Sequence, residues 1–324
     1  MSRDKGHRWH ILIGLAAAAL ILGAPSTGAA QGKVRIALSV PNYGPYAPVY
    51  VADELGYYKR HGVTAEITAY RGGGAAQEAV VAGAAEILNY FPPGVAIAVK
   101  KGIREKIVAA GQVRGTGWHI MVLRDAPIRS LRDLGGKKVG ITVKGTTTDF
   151  YALWAGAKGG VAIQTIPVGG AGLVPALKSR QIDAAVLFSP LTYRLLLTGE
   201  GRSLADLEKQ MEPTLPDVWV ATQKLIDEQT QLVAGTLKAI YTATVYMQRN
   251  REYSLKYLKG FTKEADDRVV QMEYEIGMMG RSTDGMIRRE WMEASLALAK
   301  LGGITDLPRI EELFTDRFIP VKAE

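Results

Sequence analysis

The chain contains no cysteine. That excludes disulfides, thiolate metal centres, iron–sulfur clusters, thiol nucleophiles and an acylated lipobox cysteine. Histidine is nearly as scarce. Of four, His7 and His10 fall in the first thirty residues, which leaves His61 and His119. His61 follows Lys59-Arg60 ahead of Gly62, as in a surface turn, and His119 stands alone in an apolar segment. There is no His-x-x-x-His pair, no Asp-Gly calcium loop and no Gly-x-Ser-x-Gly elbow. Carboxylate pairs such as Asp53-Glu54 and Asp266-Asp267 read as solvated helix faces. Five late methionines (272, 278, 279, 286 and 292) read as helical core filler rather than a metal array. The expectation is a non-catalytic protein with no cofactor and no metal.

Long apolar runs are missing too. Residues 11–23 (ILIGLAAAALILG) make a stretch of 13, short of the roughly 20 that span a bilayer. Arg3, Lys5 and Arg8 precede it, and small residues follow through Ala30. This is the plan of a cleavable secretory signal. Cleavage is expected after Ala30, with Ala29 second, and the lack of a twin arginine favours the general export route. The leader holds three basic residues and one acidic residue, so the net charge falls from +8 to +6 on its removal. The remaining charges are interspersed, without the cluster that marks a nucleic-acid footprint. The mature chain is therefore expected in the periplasm as a soluble, non-spanning monomer.

What is present is a repeat. Residues 70–93 (YRGGGAAQEAVVAGAAEILNYFPP) align without a gap on residues 167–190 (PVGGAGLVPALKSRQIDAAVLFSP), 97 positions on. Gly72 pairs with Gly169, Gly73 with Gly170, Ala79 with Ala176, Phe91 with Phe188 and Pro93 with Pro190. Each copy offers a glycine turn, a helix, an acidic residue (Glu86 or Asp183), an apolar strand and a proline-marked loop. Five identities in 24 positions bear on architecture only.

Strand-like runs at 34–40, 64–69, 87–90 and 107–112 alternate with helical segments at 46–55, 74–82 and 95–100. A second series begins at Trp118, with strands at 118–123, 138–141, 163–166 and 184–187 and helices at 147–155, 172–179 and 191–197. This alternation predicts α/β lobes with mostly parallel sheets. Pro213 and Pro216 punctuate the chain before a strand at 218–221 that returns to the first lobe. Everything after Thr222 reads helical, led by a long amphipathic segment at 227–249.

Residues 39–67 (SVPNYGPYAPVYVADELGYYKRHGVTAEI) carry Ala47-Pro48 at a helix start, the pair Tyr57-Tyr58 and Gly62 before a strand. With Leu131–Thr142 (LRDLGGKKVGIT) and the small-residue turns at 82–86 and 181–185, this order resembles the NMT1/THI5-like and SsuA-like binding proteins. These are the periplasmic solute receptors of the nitrate/sulfonate/taurine and thiamine-precursor class of ABC importers. The usual Asp of the first small turn is Glu86 here. The resemblance implies a type II periplasmic-binding-protein fold with a helical C-terminal region. Lobe one would comprise residues 33–117 plus 218–324, and lobe two residues 118–217, joined by crossovers near 114–121 and 216–222.

Ligands in open α/β sheets bind beyond the carboxyl ends of the strands. That directs attention to Asn42, Tyr43 and Tyr46 after the first strand, and to Asn89 and Gln112 at strand ends. In the second lobe it selects Thr146, Thr147 and Thr148 after Gly145, and the loop residue Ser189. The threonine run opens a helix, where free amides and hydroxyls favour an anion, although one threonine could simply cap. Thr146 stands where a phosphate loop needs lysine, which removes nucleotide hydrolysis. Arg71 reads equally as an anion partner and as a solvated strand-end residue. Trp118 and Tyr90 read as packing residues.

The resulting expectation is the receptor of an ABC importer that closes over a small organic anion, sulfonate- or carboxylate-like, and hands it to the permease subunits. The alternatives are a thiamine-precursor pyrimidine as ligand, a pyrimidine synthase-like enzyme, or a receptor coupled to a sensor.

Overall fold

Apolar, β-branched runs set most strands of the computed structural model, which describes Met1 and residues 32–324. In chain order they are β1 Gly32–Leu38, β2 Val63–Ala69, β3 Ile87–Tyr90, β4 Glu105–Gln112, β5 His119–Leu123, β6 Lys138–Ile141, β7 Gln164–Pro167, β8 Ala184–Leu187, β9 Gly201–Asp206 and β10 Asp217–Thr222. The signal peptide expected over residues 1–30 lies, Met1 apart, outside the described residues. Among the described residues no helix is long and apolar enough to cross a membrane.

The strands form two five-stranded sheets with matching layouts. One runs β2-β1-β3-β10-β4 and the other β7-β6-β8-β5-β9. The internal repeat is visible here, since β3 and β8 start and end 97 residues apart and each lies at the centre of its sheet. Parallel pairing holds β1 to β2 and β3, and β6 to β7 and β8. The sheets are nevertheless mixed. β10 runs antiparallel to both β3 and β4, and β5 antiparallel to both β8 and β9. Each of these strands is reached through a crossover from the other sheet, and enters against the direction of its neighbours.

Helices cover the sheets: α1 Ala47–Glu54, α2 Gly73–Val81, α3 Pro92–Lys100, α4 Thr147–Gly159, α5 Leu173–Lys178, α6 Leu191–Leu197, α7 Thr230–Arg249 and α8 Arg289–Leu301. α1 opens with Pro48 in its first turn, where no backbone donor is needed. Beyond its end, Gly56 takes the left-handed conformation that releases the chain. The helix read over 227–249 is broken. A short helix, Gln223–Glu228, is capped by the Thr222 hydroxyl, and Gln229 leaves helical geometry before α7 begins. No glycine or proline marks that break. Of the late methionines, Met278 and Met292 are buried, whereas Met279 and Met286 are exposed.

The fold is of the type II periplasmic-binding-protein kind, two α/β lobes with two crossovers and a helical C-terminal region. Residues 32–324 pack as one compact unit. The crossovers are tied together, because the Arg114 amide donates to Thr214 O at 2.8 Å. One apolar core passes through both sheets, with Trp219 of β10 wholly enclosed.

Candidate ligand-binding site

The loops that follow β1, β3, β6 and β8 converge between the sheets around a cavity of about 50 Å³. One water needs roughly 10–15 Å³ on this measure, so the space suits a few heavy atoms. The first sheet contributes Ser39, Val40, Tyr43, Tyr46, Gly73, Asn89 and Tyr90. The second contributes Thr142, Thr146, Thr147, Thr148 and Phe188, and the crossovers add Trp118, Pro216 and Asp217.

Two tyrosines are pinned from below. The Tyr46 hydroxyl donates to Asn89 Oδ1 at 2.8 Å, and the Tyr43 hydroxyl reaches Gln112 Oε1 at 3.4 Å. Burial, reinforced by the Asp217 charge, raises both phenols above their ordinary range, so both remain protonated donors. Asn89 then passes the orientation on, its Nδ2 donating to Asp217 Oδ1 at 3.1 Å. Asp217 is also gripped by Arg281, whose Nη1 lies 2.9 Å from Oδ2 and 3.2 Å from Oδ1. Burial pulls the Arg281 guanidinium down, but the Asp217 charge, together with Tyr43, Tyr241 and Tyr46, outweighs it and the net shift is upward. The pair is enclosed and formally neutral.

The threonine turn is organised differently from a simple cap. Thr146 sits at the N-cap of α4, yet its hydroxyl bonds no amide of that helix and donates instead to Val143 O at 2.7 Å. Thr148 Oγ1 accepts the Thr142 amide at 2.9 Å and lies 2.8 Å from Thr142 Oγ1. Thr147 Oγ1 reaches across to Pro216 O at 3.4 Å. Asp149 accepts the Gly145 amide at 2.8 Å. The three hydroxyls are thus engaged within the protein. The first amides of α4, those of Thr147 and Thr148, find no acceptor among the described residues, as geometry requires for a helix start.

Of the sequence-predicted residues, Tyr43, Tyr46, Asn89, Thr146, Thr147 and Thr148 border the cavity. Gln112 and Ser189 are buried behind it. Gln112 Nε2 donates to Thr116 O at 3.0 Å, and Ser189 Oγ donates to Glu273 Oε1 at 3.2 Å. Asn42 and Arg71 are exposed and do not border it. Asn42 takes a left-handed φ of 55°, a turn role, and lines an outer groove. Trp118 and Tyr90, read as packing residues, border the cavity instead. Tyr90 needs Gly73 and Gly94, where a Cβ would stand 2.7 Å and 2.3 Å from its ring.

Three acidic or basic groups escaped the sequence reading: Asp217, Arg281 and Glu273. Glu273 is buried behind Ser189, and enclosure pushes its carboxyl up to about 8 against the opposing pull of the Ser189 hydrogen bond and Arg281. No sequence motif joins these residues, because they meet only through the fold.

The NMT1/THI5 like family profile matches residues 45–253. The chain belongs to that family. This NMT1/THI5-like protein is 28% identical, over 218 residues, to a Brucella abortus chain described as a candidate binding protein, a match spanning 66% of each. That is just under two thirds of the relative's own length. A solved structure from Bordetella bronchiseptica RB50 superposes with a TM-score of 0.79 at 24% identity, covering 88% of this chain and 95% of that one. The alkanesulfonate-binding protein SsuA from Xanthomonas axonopodis pv. citri, bound to MOPS, gives 0.72 at 19% identity, covering 90% and 97%. At these identities the likeness establishes the fold. A desulfurization enzyme, DSZB, shares it at a TM-score of 0.60, so the NMT1/THI5-like fold does not by itself exclude chemistry.

Proposed function

We propose that this protein is the exported solute receptor of an ABC importer. In this reading the periplasmic monomer captures a small organic anion between its lobes and presents the closed form to the permease subunits. It is not an enzyme. Lobe one comprises residues 33–117 with 218–324, and lobe two residues 118–217. The observation that carries the reading is the cavity itself. Loops from both sheets and both crossovers wall it, so a solute there touches both lobes, and only such a solute shifts an open–closed equilibrium. Among the described residues no His, Lys or Arg borders it, which leaves an acid–base mechanism without a proton carrier of that kind.

The anionic class is supported by the unengaged Thr147 and Thr148 amides at the positive end of a 13-residue helix. The aromatic walls suit an apolar body. The alkanesulfonate-binding relative of the same fold is consistent with this class. A second reading is favoured by Asp217, which lines the same space. Its carboxylate beside aromatic rings suits the amino group of a thiamine-precursor pyrimidine.

The test is a thermal-shift and calorimetric screen of mature protein against short alkanesulfonates, carboxylates, nitrate and hydroxymethylpyrimidine. The expected result is a melting temperature that rises with one organic acid and no chemical change in it, since a ligand bound only by the native state stabilises by RT ln(1 + [L]/Kd). Conversion of the bound compound would sink the receptor reading. Binding of the pyrimidine alone would select the second one.

A further inference from the structure

In the first crossover, a residue that borders the cavity carries a buried donor with nothing to bond among the described residues. Trp118 is 7% exposed and borders the cavity, and its indole nitrogen has no hydrogen-bond partner among the described residues. The ring is held from both lobes. Phe188 lies at 5.1 Å, Tyr151 edge-on at 5.5 Å and Tyr43 edge-on at 6.3 Å. The Trp118 backbone is fixed as well, its amide donating to Gly115 O and its carbonyl accepting from Leu207 N, both at 3.0 Å. A buried donor left unpaired is costly, and native proteins keep such groups few.

We infer that the indole N–H of Trp118 is a specificity-determining donor. It hydrogen-bonds an acceptor atom of the solute, on the same molecule that the amides of Thr147 and Thr148 address. The carboxylate among the described residues bordering the cavity, Asp217, is already engaged by Asn89 and Arg281 and does not receive the indole. The solute class is thereby narrowed to compact molecules with an exposed oxygen or ring-nitrogen acceptor. An aliphatic amine without one is rejected, because it would leave the indole unpaired. This rests on the receptor reading of the same cavity.

The control is built into the chain. Trp219 also has an indole nitrogen without a partner among the described residues and is wholly buried, but it does not border the cavity. Mature wild type, Trp118→Phe and Trp219→Phe are titrated calorimetrically with ethanesulfonate and with hydroxymethylpyrimidine. Phenylalanine keeps an aromatic ring and removes the donor. For whichever probe wild type binds, Trp118→Phe should weaken affinity about ten- to a hundredfold, while Trp219→Phe should bind within about twofold of wild type. In ¹⁵N-labelled wild type the Trp118 indole resonance should shift on saturation with that probe, which reads the contact even if the variant folds poorly. Unchanged affinity in Trp118→Phe, or an unmoved indole resonance, overturns this inference and leaves the receptor reading standing. A wild type that binds neither probe overturns this inference, and the receptor reading falls with it only if the carboxylates and other sulfonates of the wider screen also fail to bind.

Discussion

A Cβ on residue 111 would stand 1.7 Å from Asp217 Oδ1, so the carboxylate at the cavity edge fills the space that a side chain at Gly111 would need. The strand must be bare at that point for the Asn89–Asp217–Arg281 chain to assemble. Gly111→Ala is therefore expected to destabilise the protein by about 1–3 kcal/mol through overpacking. It should also weaken solute binding, because the displaced carboxylate no longer orients Asn89. Urea denaturation and calorimetry read the two effects, and a variant with wild-type values for both would refute the coupling.

Glu273 should contribute a fall in stability as pH rises from about 5 to 8. Its carboxyl is raised from 4.5 to about 8 by burial, so the native state holds the proton more tightly than the unfolded chain does. The stabilisation is complete below the unfolded value and is lost as pH climbs through the native one. It is on the order of a few kcal/mol. Glu105, raised to about 7 by burial, adds a slope of the same sign. Glu273→Gln should consequently flatten the profile of melting temperature against pH without abolishing it. An unchanged profile would show that Glu273 is ionised in the native state.

The threonine turn separates stability from affinity. Thr148→Val removes the acceptor of a buried amide and should cost about 1–3 kcal/mol. Thr147→Ala removes only a 3.4 Å contact to Pro216 and leaves the helix amide in place. It should keep affinity within about threefold, because the free donors here are amides and not hydroxyls. A large loss of affinity in Thr147→Ala would return the binding role to the hydroxyl. At Gly145 a Cβ would meet nothing within 4 Å, yet φ is +73°. Gly145→Val should thus act through backbone strain of roughly 1–2 kcal/mol, not through a clash.

Much of the fold was legible because local signals agreed. β3, β6, β8 and α6 lie where apolar runs and turn residues place them, and the 97-residue repeat marks the equivalent centres of the two sheets. β9 was not legible. Gly201–Asp206 (GRSLAD) has no apolar run, and it is a strand because β5 offers it an edge. The mixed pairing was hidden for a related reason: direction depends on which sheet a strand joins, and Val218–Ala221 looks the same either way. At the site, loops after strands led to Tyr43, Tyr46 and Asn89, which border the cavity, since position along a strand is a local property. Arg71 looked equally well placed but is exposed. Asp217 and Arg281 stand 64 residues apart in segments without a motif, so only the folded chain brings their charges together.

The position of β10 also constrains how the molecule can be made. β4 has β10 as its one strand neighbour in the sheet, and β10 is synthesised more than a hundred residues later. Until then, the sheet begun by β1, β2 and β3 carries an open edge at β3, and β4 has no place in it. The second sheet has no such gap, since its five strands are drawn from one continuous stretch, β5 through β9. A chain emerging from amino to carboxyl end can therefore complete the later lobe before the earlier one. The early strands wait with unpaired backbone exposed, in the interval when a holding chaperone would be most useful to them.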